Sequence, residues 1–263
     1  MASVALTSWL TWTKCGWLSR FAGIYSQPNL PAIKALTLKV IMKYILLILI
    51  LFPLGASAIQ SECFGTTSNG RLNNGVKLPA AGNNFEGYSY IARVAGRTYV
   101  HSKVHDIVVS AYTQLETEQP TKVFKYAETG FKEGGKFKPH KTHRNGLSVD
   151  FIVPVVDENG QSVHLPTNPT NKFGYNIEFD VNGKYGSYKI DYEAMAAHIV
   201  LLHKEAKARR HNLRRVIFAP ELQPHLFKTK YSEYLMQNVH FLKTQSWVRH
   251  DEHYHVDFEI PCK

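Results

Sequence analysis

The sequence predicts an α+β domain, a small and mainly antiparallel sheet flanked by helices, and three observations carry that prediction. Short apolar, β-branched runs at 123–128, 147–156, 216–219 and 253–260 read as strands. Two stretches, 102–115 and 191–210, carry apolar residues at helical spacing. No internal repeat is visible, and a mixture of short strands around one or two packing helices is the signature of the α+β class.

In chain order, 59–90 is rich in Gly, Asn and Ser and reads as an irregular wrap, and 97–100 as a short strand. The helix at 102–115 places Val104, Ile107, Val108, Ala111 and Leu115 on one face. After the strand at 123–128 comes a loop holding Gly130, Gly134, Gly135 and Pro139, and then the run 147–156, which puts Asp150 on a strand. Segment 157–188, with its prolines, asparagines and the turn-like Asp180-Val-Asn-Gly183, reads as an insertion containing a β-hairpin. The helix at 191–210 lines up Tyr192, Met195, Ala196, Ile199, Leu202 and Ala206 and ends in cations that suit its C-terminal dipole. The last strand alternates His253, His255 and Asp257 on one face with Tyr254, Val256 and Phe258 on the other.

The first 58 residues contain no Asp or Glu and five cations, Lys14, Arg20, Lys34, Lys39 and Lys43. Met42-Lys43, the apolar run 44–54 and Ala56-Ser57-Ala58 form the charged start, apolar middle and small-residue cleavage pattern of a secretory signal. Translation is therefore expected to start at Met42, with 1–41 an over-extended N-terminus, 42–58 the signal, and 59–263 a single exported domain. A transit peptide or membrane anchor is the competing reading, although the apolar run is too short for a confident span, and no stable membrane insertion is expected after cleavage near Ala58. Setting aside the five leader cations leaves 26 of 31 against 21 acids, a modest excess that suits an anionic wall polymer. No arginine-rich run or aromatic-basic alternation marks a nucleic-acid surface. Of Cys15, Cys63 and Cys262 only the last two survive cleavage, and an even pair in an oxidising compartment predicts a disulfide.

Two strings concentrate the chemistry: His140-Lys-Thr-His143-Arg-Asn-Gly-Leu-Ser-Val-Asp150 and His250-Asp-Glu-His253-Tyr-His255, which hold five of the 13 histidines. A catalytic zinc needs three imidazole or carboxylate ligands, an open position for water, and a base. His143, Asp150 and His255 fit the ligand roles and His253 the base, since alternate strand residues point the same way. Gly146 permits a tight entry from loop to strand between the first two ligands. Lys103-Val-His105-Asp106, in contrast, reads as a solvated helix face, and the many tyrosines, Tyr88 and Tyr175 among them, read as packing or as stacking platforms.

The pattern His140-x-Thr142-His143-x-x-Gly146-x-Ser148-x-Asp150 followed by His253-x-His255 resembles the penicillin-insensitive murein endopeptidases. More broadly it is similar to the zinc peptidases that include lysostaphin, the D-alanyl-D-alanine peptidases and the hedgehog signalling domain. The similarity extends from Cys63-Phe-Gly to Pro261-Cys262. It implies a hedgehog-like zinc site on the sheet, Zn2+ on His143, Asp150 and His255, His253 as base, and His140 and His250 as further active-site histidines. Peptidoglycan cross-links are the implied substrate, and the periplasm or exterior of a bacterium the implied location. Arg144, Ser148 and Thr142 stand where that family usually carries Gln, Asp and Ser. Glu252 sits three before the last ligand, where the D-alanyl-D-alanine peptidases carry a Glu and make it a competing base. Two alternatives stay open: a D-alanyl-D-alanine carboxypeptidase or dipeptidase, and a catalytically silent zinc module that binds cell wall.

Overall fold

The computed structural model describes residues 60–263, so the leader reading for 1–58 lies outside the described residues. The strands are β1 Glu62–Gly65, β2 Gly70–Asn73, β3 Val76–Lys77, β4 Phe85–Gly87, β5 Tyr99–Val100, β6 Phe124–Tyr126, β7 Ser148–Ile152, β8 Val155–Val156, β9 Ser162–Val163, β10 Lys184–Tyr185, β11 Tyr188–Ile190, β12 Asn212–Ile217 and β13 His253–Glu259. The helices are α1 Tyr90–Val94, α2 Ser102–Glu118, α3 Tyr192–Ala208, α4 Gln223–Leu226 and α5 Ser232–Asn238, with a 3-10 turn at Pro169–Gly174. This is the α+β class the sequence predicts, and no described helix is long and apolar enough to cross a membrane.

A five-stranded sheet in the order β12-β13-β7-β6-β4 carries the core, antiparallel except where β4 runs parallel to β6. One face of it packs on α3. Tyr254, Val256 and Phe258 point into that core, and the Tyr254 hydroxyl bonds to Nδ1 of His198 on the helix. The opposite face of β7 and β13 therefore holds the polar side chains.

Four local readings change. The wrap at 59–90 contains the β1-β2 hairpin, in full antiparallel register from Glu62↔Asn73 to Gly65↔Gly70, turned through Thr67 and Ser68 beyond the Thr66–Asn69 backbone pair. The run 147–156 breaks at Pro154, which lacks the N–H a central strand needs, and β8 then joins β9, β11 and β10 in a second sheet. The hairpin of the insertion turns at Gly186 and Ser187, between the Tyr185↔Tyr188 pair, not at 180–183. Asp180 instead caps a tight turn, its side chain accepting from the backbone N–H groups of Asn182 and Lys184. Helix α3 is buried around most of its circumference, from Ala194 through His203, because α2, α4, α5 and β12 surround it.

Cys63 and Cys262 are joined by a disulfide across 199 residues of sequence, as the cysteine pattern predicts. His105 and Asp106 of α2 pair at the surface, in keeping with a solvated face.

Candidate metal centre

The register of β7 and β13 builds the site. Asp150 is directly opposite His255, Ser148 is opposite Asp257, and His253 is opposite Ile152, so Asp150, His253, His255 and Asp257 share one face. His143 arrives from the loop before β7 with φ +68, a left-handed conformation unusual for histidine. Gly146 makes the approach possible: a Cβ there would lie 2.7 Å from the His101 backbone nitrogen and 2.6 Å from Leu72 Cδ2.

Asp150 divides the site in two. Its Oδ1 faces His143 Nε2 at 3.2 Å and His255 Nδ1 at 2.8 Å. Its Oδ2 faces the Tyr175 hydroxyl at 3.4 Å, His140 Nδ1 at 3.8 Å and His253 Nε2 at 3.9 Å. The first side is closed, since His143 and His255 are buried. The second opens into a cavity of about 540 Å3 whose walls include Tyr88, His140, Tyr175, Trp247, Glu252 and His253.

Each imidazole is oriented by a partner on its far nitrogen. His143 Nδ1–H donates to the Thr129 carbonyl at 3.1 Å, leaving Nε2 as a lone pair that is buried with no hydrogen-bond partner. His255 Nε2 donates to Asp257 Oδ1 at 2.8 Å, which directs Nδ1 at Asp150. Asp257 is itself fixed by the Ser148 hydroxyl at 2.6 Å and Arg215 at 2.8 Å. His253 Nδ1 donates to Glu252 Oε1 at 2.7 Å. His140 Nε2 bonds to Glu128, which also accepts from Arg97 and from the Tyr88 hydroxyl. His250 packs behind His253 with ring centroids 4.6 Å apart, and its Nδ1–H donates to the Val248 carbonyl.

Carboxylates and imidazoles at the closed side shift one another strongly. Burial would raise the Asp150 carboxyl, but His143 and His253 beside it hold it well below the usual carboxylate range. Burial opposes charge on His255, yet Asp257 and Asp150 outweigh it and push its pKa up to about 10. His143 is held below its ordinary value by burial, and His250 is pushed down to about 3 by burial too. On His253, burial is outweighed by Glu252 and Asp150, which raise it. Burial and the nearby carboxylates of Asp150 and Glu128 push the Tyr175 phenol well above 10, so it keeps its proton. Glu128 is drawn down to about 2 against its burial by Arg97 and His140.

His140, His143 and Asp150 offer one donor atom each within 4.8 Å of one another, a cluster that could hold a metal ion. His255 Nδ1 joins them at Asp150 Oδ1. Imidazole and carboxylate donors gathered around Asp150 suit a borderline divalent ion such as zinc.

The two strings named from the sequence thus meet, and all seven residues, His140, His143, Asp150, His250, Glu252, His253 and His255, lie in one constellation. Sequence reasoning gave no site role to Glu128, Thr129 or Asp257, and read Tyr175 only as packing or a stacking platform. Asp257 continues the His253, His255 alternation on the same face, which is a readable signal. Glu128 and Thr129 come from another segment and carry none, and nothing in the sequence brings Tyr175 to Asp150.

None of the curated proteins compared matches the chain. The sequence profile of penicillin-insensitive murein endopeptidases matches residues 63–263, all but the first few described residues, and with both histidine strings inside that match the chain belongs to the penicillin-insensitive murein endopeptidase family.

Proposed function

We propose that the protein is a zinc-dependent murein endopeptidase that hydrolyses the peptide cross-links of peptidoglycan, with zinc on His143, Asp150 and His255 and with His253 as the general base. The observation that carries this reading is the His143 Nε2 lone pair, buried without a hydrogen-bond partner and aimed at Asp150 Oδ1 beside His255 Nδ1. A buried acceptor of this kind costs about 1–3 kcal/mol unless something satisfies it, and a cation does. Bound zinc would supply a Lewis acid for the scissile carbonyl and a water of lowered pKa.

The protein's own groups supply the proton transfers. His253 presents Nε2 to the open side of the site, while Glu252 accepts from its other nitrogen, which favours His253 over Glu252 as the base. His253 takes the proton of the attacking water as the carbon–oxygen bond forms, then returns it to the amine as the carbon–nitrogen bond breaks. His140 and Glu252 line the cavity that receives the peptide, and His250 backs His253. No covalent acyl intermediate forms. Export after cleavage near Ala58 brings the enzyme to this substrate; N-terminal sequencing of the exported protein checks that step, and a mature start upstream of Ile59 contradicts it.

Digestion of purified peptidoglycan by the zinc-loaded protein, with an EDTA control, tests the reading through separation of the released fragments by chromatography and mass. Loss of cross-linked dimers with gain of monomers, abolished by EDTA, is expected. Trimming of terminal D-alanine with dimers intact would make the protein a carboxypeptidase. Uncut material with zinc still bound would make it a binding module.

A further inference from the structure

We propose that Tyr175 is a catalytic residue whose phenolic hydroxyl donates a hydrogen bond to the oxygen that becomes negative when the scissile amide carbon turns tetrahedral. The inference rests on the hydrolytic reading above and adds a group that neither the motifs nor the family match identifies.

Three groups face Oδ2 of Asp150, and only one of them, the Tyr175 hydroxyl, lies within hydrogen-bond distance of it. His140 bonds through Nε2 to Glu128, and its Nδ1 stands 3.8 Å from Asp150 Oδ2, beyond hydrogen-bond reach. His253 commits Nδ1–H to Glu252 and turns Nε2 to the site as the base. The Tyr175 hydroxyl makes one hydrogen bond, to Asp150 Oδ2, and at 3.4 Å it is at the outer limit of such a bond. A donor held loosely in the resting protein strengthens its bond when charge develops nearby, which is how a group stabilises a transition state more than a ground state. We therefore assign the oxyanion role to Tyr175 and not to His140.

The insertion is built to hold this ring. Tyr175 meets His253 edge-on at 5.1 Å and Tyr88 at 6.4 Å, with interplanar angles of 67° and 89°. It follows three successive left-handed residues, Lys172 at φ 50, Phe173 at φ 59 and Gly174 at φ 102. Two non-glycine residues in that region are costly, and such strain persists where surrounding structure enforces it. Here Asn168 and Asn171 enforce it with a reciprocal capping box over the preceding turn. The far end of the segment is tied to the second histidine string: the Phe179 N–H donates to Asp251 at 2.5 Å and Arg249 donates to the Phe179 carbonyl at 2.7 Å. Tyr175 lines the cavity and its hydroxyl reaches the Asp150 carboxylate, which packing alone does not require.

In the balanced step, water oxygen bonds to the carbonyl carbon and gives its proton to His253 Nε2, while the carbonyl electron pair moves to the oxygen that Tyr175 contacts. Collapse breaks the carbon–nitrogen bond, the amine takes the proton from His253, and Tyr175 keeps its own throughout.

The test compares wild-type and Tyr175→Phe protein, zinc-loaded, on cross-linked muropeptide dimers and on a non-hydrolysable phosphinate analogue that mimics the tetrahedral carbon. The inference expects kcat to fall roughly 100-fold, with KM, zinc content and thermal midpoint unchanged and phosphinate affinity falling by a similar factor. A kcat within about threefold of wild type overturns it, as does a loss of zinc or a rise in KM that accounts for the whole effect. Should wild-type protein spare the dimers yet bind the phosphinate, the endopeptidase reading has failed, and the ratio of phosphinate affinities still decides the role of Tyr175.

Discussion

Asp150 Oδ1 lies 2.8 Å from His255 Nδ1 across two neighbouring strands, and because the other nitrogen of His255 already donates to Asp257, that contact needs a positive charge to hold it. A proton can supply the charge in the free protein and a metal ion in the loaded one. Substituting His143, Asp150 or His255 by Ala is therefore expected to abolish stoichiometric zinc, whereas His140→Ala retains it. Asp257→Asn keeps the ligands but loosens the orientation of His255, and its zinc affinity should fall about 10–100-fold. Zinc analysis with a competing chelator measures both; zinc retained by His255→Ala and lost by His140→Ala would move the ligand role to His140.

The cavity wall contains no serine or cysteine among its described residues, so an acylating antibiotic finds no serine or thiol nucleophile there. A β-lactam should leave turnover unchanged, while EDTA abolishes it and added zinc restores it. Turnover assays with intact-mass analysis check this, and a covalent antibiotic adduct that accompanies inactivation would sink the hydrolytic mechanism.

The parts of the site that were legible in the sequence are the parts that local geometry fixes. His253 and His255 share a face because strand residues alternate, and Asp150 joins them because it lies on an apolar strand that had to pair with a neighbour. Gly146 was legible as a forced turn. Glu128 and Tyr175 were not, because each reaches the site from a separate segment through contacts that no spacing encodes. The same limit misplaced the hairpin: Asp180-Val-Asn-Gly183 has turn chemistry, but which turn joins two paired strands is decided by where β8 offers an edge. Helix α3 looked one-faced because alanine counts weakly as apolar, and its many alanines let other helices pack closely around it.

Glu252 and His253 compete for the role of base in the sequence, and the geometry separates them. Glu252 bonds to the far nitrogen of His253, the contact expected of a positioning residue under the proposed mechanism. Glu252→Gln should lower kcat about 10–100-fold with zinc retained, and His253→Ala should lower it further, by about 10²–10⁴. If His253→Ala were the milder of the two in the same steady-state assay, Glu252 would be the base.

The Cys63–Cys262 bond closes nearly the whole domain, and a cross-link stabilises chiefly by restricting the unfolded chain, more so for long loops. Replacing both cysteines by serine should cost about 2–5 kcal/mol and leave kcat unchanged, because neither residue lines the substrate cavity. Urea unfolding under oxidising and reducing conditions reads the difference, and equal midpoints would show that the bond adds nothing.

His198 gives the fold a dependence on pH that is separate from the site. Its ring is buried in α3, stacked 4.7 Å from Tyr112 and edge-on to Phe151, and burial pushes its pKa down from 6.5 to about 3. The unfolded chain takes up this proton near pH 6.5 and the folded protein resists it until about pH 3, so stability is lost as pH falls through that window and is flat above it. One such group contributes a slope of up to about 1.4 kcal/mol per pH unit. His198→Phe keeps the stacking but leaves the Tyr254 hydroxyl without its acceptor, so the variant should be less stable at neutral pH. Its unfolding free energy between pH 6 and 4 should nevertheless fall less steeply than that of wild type, by about one proton. Denaturant titrations across that range measure the two slopes, and parallel lines would mean that His198 does not titrate on unfolding.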